Sequence, residues 1–183
     1  MIFEVLPIEL RTHSLVEVVK NLLVDVFEAS VVVLPYVHAP QEFENVYRRQ
    51  YDGLKLLNWS SRLRTTSTSI LVGVADLDAY VPGLNFIFGI ADPKEGVALV
   101  FLKRLRDSNE LVGTKYVSRI KKEVLHEVGH VLGLRHCSNR RCVMAFSNSI
   151  YDTDFKEFKY CYKCYDLLIR LGYRVHRTYM LEQ

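Results

Sequence analysis

Apolar positions fall into two rhythms along this chain. Residues 2–8, Ile-Phe-Glu-Val-Leu-Pro-Ile, predict a first strand. From 14 to 29, Leu15, Val18, Val19, Leu22, Leu23, Val26 and Phe27 recur at helical spacing. Ser14 with Glu17 three residues later has the form of a capping box for that helix. The β-branched run 31–36 predicts a second strand, whereas residues 38–66 are polar with scattered aromatics and predict no definite element. Residues 70–74 predict a third strand, followed by the turn-rich Asp76-Leu77-Asp78. Two more apolar runs, 86–90 and 97–102, flank Asp92-Pro93-Lys94-Glu95-Gly96, a strong turn. Val117, Ile120, Val124, Leu125, Val128, Val131 and Leu132 then form one stripe of a long helix, with Gly133 as its stop. A cysteine-bearing segment follows, and a last helix is predicted over residues 164–171.

Strands and helices alternate over the first two-thirds of the chain. That favours an α/β (α+β) fold, a mostly parallel sheet with helices packed on it. The remainder reads as a smaller irregular subdomain. The expected division is therefore a sheet-and-helix subdomain over 1–136 and a C-terminal subdomain over 137–183.

Composition narrows this picture only a little. With 183 residues, 49% hydrophobic and 25% charged, the chain can bury a core without disulfide staples. A net charge of +3 is too weak to predict a nucleic-acid partner. Glu4 and Pro7 interrupt the N-terminal apolar run, and no basic residues precede it, so no signal peptide is expected there, nor room for an inhibitory pro-segment. No stretch approaches the roughly 18 apolar residues of a membrane span. The expectation is a soluble cytoplasmic protein whose four cysteines are reduced and free to bind metal.

The candidate chemistry sits on the long helix, in His126-Glu127-Val128-Gly129-His130 and its continuation to His136. Residues four apart share a helix face, about 40° from one another, so two imidazoles can converge on one metal. Gly133 can adopt the positive φ of a sharp exit, and three residues later His136 can return as a third ligand. Three protein ligands leave a fourth position open, which distinguishes catalytic from structural zinc. Glu127 is then placed as general base toward water whose pKa the metal lowers from about 15.7 to about 7. A surface helix with incidental histidines does not account for the glycine and third histidine at this spacing.

Cys137, Cys142, Cys161 and Cys164 follow at once, spaced C-x4-C-x18-C-x2-C. Two close pairs separated by a loop suit a closed tetrahedral thiolate site, a structural zinc. Two disulfides or free buried thiols are the competing readings.

On these residues the sequence resembles the metzincin metallopeptidases. The run through Cys137, Cys142, Val143-Met144 and Cys161-Tyr162-Lys163-Cys164 is similar to the archaemetzincins in particular. The specific match spans residues 126–164, and the interval from Met144 to Cys161 is one residue short of the family's. The resemblance implies one catalytic domain with a five-stranded mixed sheet over the active-site helix. It also implies an antiparallel edge strand at about residues 86–90, to which an extended peptide could add. Met144 would be the methionine of the tight turn beneath the metal, with a packing role. Some metzincins bring a tyrosine to the metal two residues further on; here that position is Phe146, which has no oxygen to donate. The implied activity is zinc-dependent peptide hydrolysis with two zinc ions per chain, acting on a peptide or unfolded protein, with no nucleic-acid or membrane partner. A zinc-stabilised peptide-binding or protein-binding module with little catalysis is the main competing reading, and a nucleic-acid-binding zinc protein the third.

Other polar residues are expected to be structural. Asp76 and Asp78 read as turn formers, Arg140 and Arg141 as a solvated loop, and His13, His38 and His176 as surface or capping residues. Tyr160, Tyr162 and Tyr165 read as packing residues, although one tyrosine could serve as an oxyanion donor.

Overall fold

The computed structural model describes residues 1–106 and 113–182. Its elements run β1 (Ile2–Ile8), α1 (His13–Phe27), β2 (Ser30–Val33), a 3₁₀ turn (Gln41–Phe43), β3 (Glu44–Asn45), β4 (Gln50–Asp52) and α2 (Gly53–Ser61). They continue with β5 (Ile70–Ala75), β6 (Ala79–Tyr80), β7 (Gly89–Asp92), β8 (Val97–Phe101), α3 (Thr114–Val131), α4 (Ile150–Phe155), α5 (Tyr162–Arg170) and a second 3₁₀ turn (Arg177–Tyr179).

Five strands form the main sheet in the order β2-β1-β5-β8-β7. The first four are parallel, and β7 runs antiparallel to β8 with Gly89 opposite Val100 and Asp92 opposite Val97. Side chains alternate between the two faces, as the two-residue period of a strand requires. Phe3, Val5, Val72, Val74 and Val100 join the core under α1 and α3, while Leu6, Leu71, Leu99 and Phe101 join a second core with Leu56 and Leu57 of α2. Both faces are covered, which explains why the central strands read as continuous apolar runs. The first core continues without a break into Cys142, Met144, Tyr160, Cys164 and Leu168.

The structure differs from the sequence expectation at several elements. Helix α1 starts one residue early, and Thr12 ahead of it makes no side-chain cap; Glu17 pairs instead with Lys20 at 3.3 Å. Strand β2 ends at Val33, short of the expected 36. The edge strand lies at 89–92 rather than 86–90. The turn sets this register: Asp92 accepts from the Lys94 and Glu95 amides at 2.8 and 3.3 Å, and Gly96 takes φ +64, so pairing begins at Asp92 itself. Residues 86–88 lie beyond β7, where the Phe88 carbonyl accepts from the Phe101 amide and the Ile87 amide donates to the Ala79 carbonyl, and they form a wall of the cleft facing α3.

The polar stretch 38–66 also carries structure. Asp52 caps α2 by accepting from the Leu54 and Lys55 amides. Strands β3, β4 and β6 form a small second sheet. Arg48, at the turn between β3 and β4, donates to the Asn85 carbonyl at 2.8 Å and lies over the Tyr80 ring, and Gln50 donates to the same carbonyl at 3.0 Å. This clamp fixes the loop that becomes the upper rim of the cleft. No helix among the described residues is long and apolar enough to cross a membrane.

Candidate active site

Helix α3 packs across β7 and β8 and brings His126, Glu127 and His130 to one face. Gly133 takes φ +97 just past its end, and the Leu134 amide returns to the Gly129 carbonyl at 2.9 Å. The chain then reverses and carries His136 back over His126, their rings stacked with centroids 5.3 Å apart. One nitrogen from each of His126, His130 and His136 lies within 4.8 Å of the others.

Tautomers are fixed from behind. His126 donates from Nδ1 to the Val143 carbonyl at 2.8 Å, and His130 from Nδ1 to the Leu134 carbonyl at 2.9 Å. A carbonyl oxygen can only accept, so the proton sits on Nδ1 and each Nε2 presents a lone pair. Those two Nε2 atoms face each other 3.1 Å apart. Two lone pairs at that separation repel unless a cation lies between them. Nitrogens on a tetrahedral zinc sit about 3.4 Å apart, so the donor set fits that ion. Burial, aided by Lys156 and His130, keeps His126 well below the ordinary imidazole range and hence neutral, as a ligand must be.

Glu127 lines the same cleft and is only 5% exposed. Burial pushes its carboxyl well above the usual range, Glu123 adds to the rise, and Lys156 opposes it. Two glycines make its surroundings possible. A Cβ at Gly89 would fall 2.5 Å from Glu127 Oε1, so the edge strand can pass the carboxylate only without a side chain there. A Cβ at Gly129 would overlap Met144 Sδ, which is how the fully buried Met144 lies against the helix between the two histidines. Phe146 packs against His136 with centroids 4.9 Å apart. The cavity measures about 350 Å³ between residues 84–89 and 146–148, and no tyrosine lines it among the described residues.

Beneath the cleft the four cysteines converge, their sulfurs within 4.8 Å of one another, and all four are free thiols. Cys137 Sγ and Cys161 Sγ lie 3.7 Å apart, far beyond a disulfide bond. That distance matches the edge of a zinc–thiolate tetrahedron, about 3.8 Å. Hydrogen bonding from Cys164 and from backbone amides draws the Cys142 thiol down to about 6, while Cys164 is pushed up. Cys161 is the N-cap of α5. One thiolate among crowded thiols is the state a shared cation relieves.

Most of the residues expected to be structural have such partners; Tyr162, expected to pack, instead stands exposed. Asp76 pairs with Arg106 at 2.6 Å and Asp78 with Arg104 at 2.7 Å. Arg141 pairs with Glu157, and Arg140 lies over Phe155. His13 opens α1, His38 meets Glu9 at 3.1 Å, and His176 accepts from the Thr178 amide at the second 3₁₀ turn. Buried Tyr160 donates to the Leu125 carbonyl, and Tyr165 donates to the Val175 carbonyl.

Sequence reasoning missed Gly89, Glu123 and Lys156. Glu123 precedes Glu127 by four residues, a helical spacing that was legible. Nothing local marks Gly89 or Lys156, because each meets the site only through the tertiary fold.

Comparison with known proteins agrees with this geometry. The sequence model of peptidase family M54 matches residues 6–170. Archaemetzincin of Archaeoglobus fulgidus is 39% identical over 158 residues, 86% of this chain and 92% of that protein. The crystal structure of archaemetzincin from Methanopyrus kandleri superposes with a TM-score of 0.84 at 31% identity, covering 94% of this chain and 95% of that one. A zinc-dependent peptidase from Methanocorpusculum labreanum superposes at 0.82 with 28% identity, over 91% and 99%. On family match, identity and fold together, the chain belongs to peptidase family M54, the archaemetzincins, and is a zinc metallopeptidase.

Proposed function

We propose that the chain hydrolyses peptide bonds in an extended peptide laid along the cleft. In this reading His126, His130 and His136 hold a catalytic zinc, and Cys137, Cys142, Cys161 and Cys164 hold a second, structural one. The observation that carries it is the pair of unprotonated Nε2 atoms facing each other at 3.1 Å beside a buried carboxylate. Zinc, when bound there, supplies a Lewis acid for the scissile carbonyl and a lowered pKa for water.

The protein's own groups do the rest. Glu127 is the general base: it takes a proton onto its carboxylate and returns it to the leaving amine. A carboxyl held above its usual range by burial is suited to both transfers near neutral pH. The outer edge of β7 pairs with no strand among the described residues and offers its backbone groups to the substrate main chain. Met144 acts as a packing floor for the two histidines on α3. Residues 1–136 supply the upper wall and the helix, and residues 137–183 the floor. The four free thiols in one cluster fit a reducing compartment, and on that ground we place the chain in the cytoplasm.

Metal analysis and peptide cleavage test the reading together. The wild type should carry two zinc ions per chain and cleave short unstructured peptides. Glu127→Ala should keep both ions and its melting temperature while losing more than about a hundredfold in kcat. A variant that retains turnover removes Glu127 from the mechanism. Peptide binding without cleavage by the zinc-loaded wild type would make the chain a binding module instead.

A further inference from the structure

The cleft extends past Glu127 to a second buried carboxylate. Glu123 lies one helical turn earlier on α3, roughly 6 Å along the axis, lines the same cavity and is 3% exposed. Its Oε1 is fully engaged, by Lys156 Nζ at 2.9 Å and Thr153 Oγ1 at 3.2 Å. Its Oε2 accepts no hydrogen bond among the described residues, and the residue lines the cavity. Lys156 is itself 1% exposed and reaches the Ala145 carbonyl as well, so the carboxylate is held from behind and has little freedom.

We propose that Glu123 is a specificity-determining residue, its Oε2 receiving the basic end of a substrate lysine or arginine that enters the cavity past Glu127. This rests on the peptidase reading above. Phe86, Phe88 and Phe146 line the cavity and suit the methylene stem of such a side chain. A cation donating to a carboxylate makes a stronger hydrogen bond than a neutral donor does. An aspartate or glutamate entering the same space would set its oxygens against Oε2 and is rejected. Lys156 pins and partly neutralises Glu123, and so lets a buried carboxylate persist there without substrate.

The test uses alanine-based peptides in which one position at a time is lysine, norleucine, glutamine or glutamate. Affinity is measured on zinc-loaded Glu127→Ala protein, and cleavage on zinc-loaded wild type. Lysine at one position should bind about tenfold tighter than norleucine, with glutamate weakest. Glu123→Gln keeps an oxygen for Lys156 but turns an amide toward the cavity, so glutamate should overtake lysine. Glu123→Asp keeps the charge, withdraws the oxygen by one methylene, and should flatten the lysine preference; it serves where the glutamine variant does not fold. Equal binding of all peptides, or the wild-type ranking in both variants, overturns the proposal. Ranked binding with no cleavage by wild type would sink the peptidase reading and leave the pocket's specificity standing. Cleavage without ranking would do the reverse.

Discussion

At the residue scale, the motif from His126 to His136 was legible because ligand spacing and helical period are both local. What surrounds the motif was not. Gly89 lies on a different element, far from Glu127 in sequence, yet its missing side chain sets where that carboxylate can lie. A Cβ there would overlap Glu127 Oε1 at 2.5 Å. Gly89→Ala should therefore displace the Glu127 carboxylate while leaving the histidines in place. The expected outcome is a kcat lower by about tenfold to a hundredfold, with KM and zinc content little changed. Steady-state kinetics with metal analysis checks this, and an unchanged kcat would mean the carboxylate has slack that the contact denies.

At the element scale, the long stripe of α3 and the β-branched strands were readable because each buries a continuous apolar face. Two short helices were not. Helix α2 buries only Leu56 and Leu57 among its large apolar side chains, and α4 buries only Thr153, so neither carries an apolar stripe. The capping box expected at Ser14 and Glu17 does not form, whereas one does at Ser149 and Asp152, where no apolar run follows to announce a helix. Polar contacts fasten α4 instead. Arg119 on α3 grips Asp154 at 2.7 and 2.8 Å, and Lys115 adds a contact at 3.1 Å. Hydrogen bonds from Arg119, with Lys115 assisting, hold the Asp154 carboxyl below its usual value against the opposing effect of burial. A carboxyl whose pKa is depressed by folding stabilises the fold above its unfolded pKa, about 3.9, and loses that contribution as pH falls through the folded value. Asp154→Asn should thus melt below wild type at neutral pH, with the gap closing only in acid below about pH 4. Thermal melts across pH check this; a gap constant into strong acid would assign the effect to packing.

At the scale of the whole molecule, the alternation of strands and helices announced a mostly parallel sheet, and the resemblance supplied the antiparallel edge. The shared core beneath α3 was hidden, since Tyr160 and Leu168 meet that helix only after the chain has folded back. Structural zinc contributes about 10–16 kcal/mol, against about 5–15 kcal/mol for a whole domain. Cys161→Ser should therefore lose one zinc and lower the melting temperature by more than about 10 °C, whereas His130→Ala should lose the other zinc with a much smaller shift. Calorimetry with metal analysis separates the two, and a Cys161→Ser protein that melts like wild type would rule out a structural zinc at the cysteines. His136 and Cys137 are consecutive residues, so a single peptide bond joins the histidine centre to the sulfur cluster. If the proposed structural zinc sits at the cysteines, oxidation of those sulfurs would release it and loosen the anchor of His136, so activity would fall with peroxide through atoms that never touch a substrate.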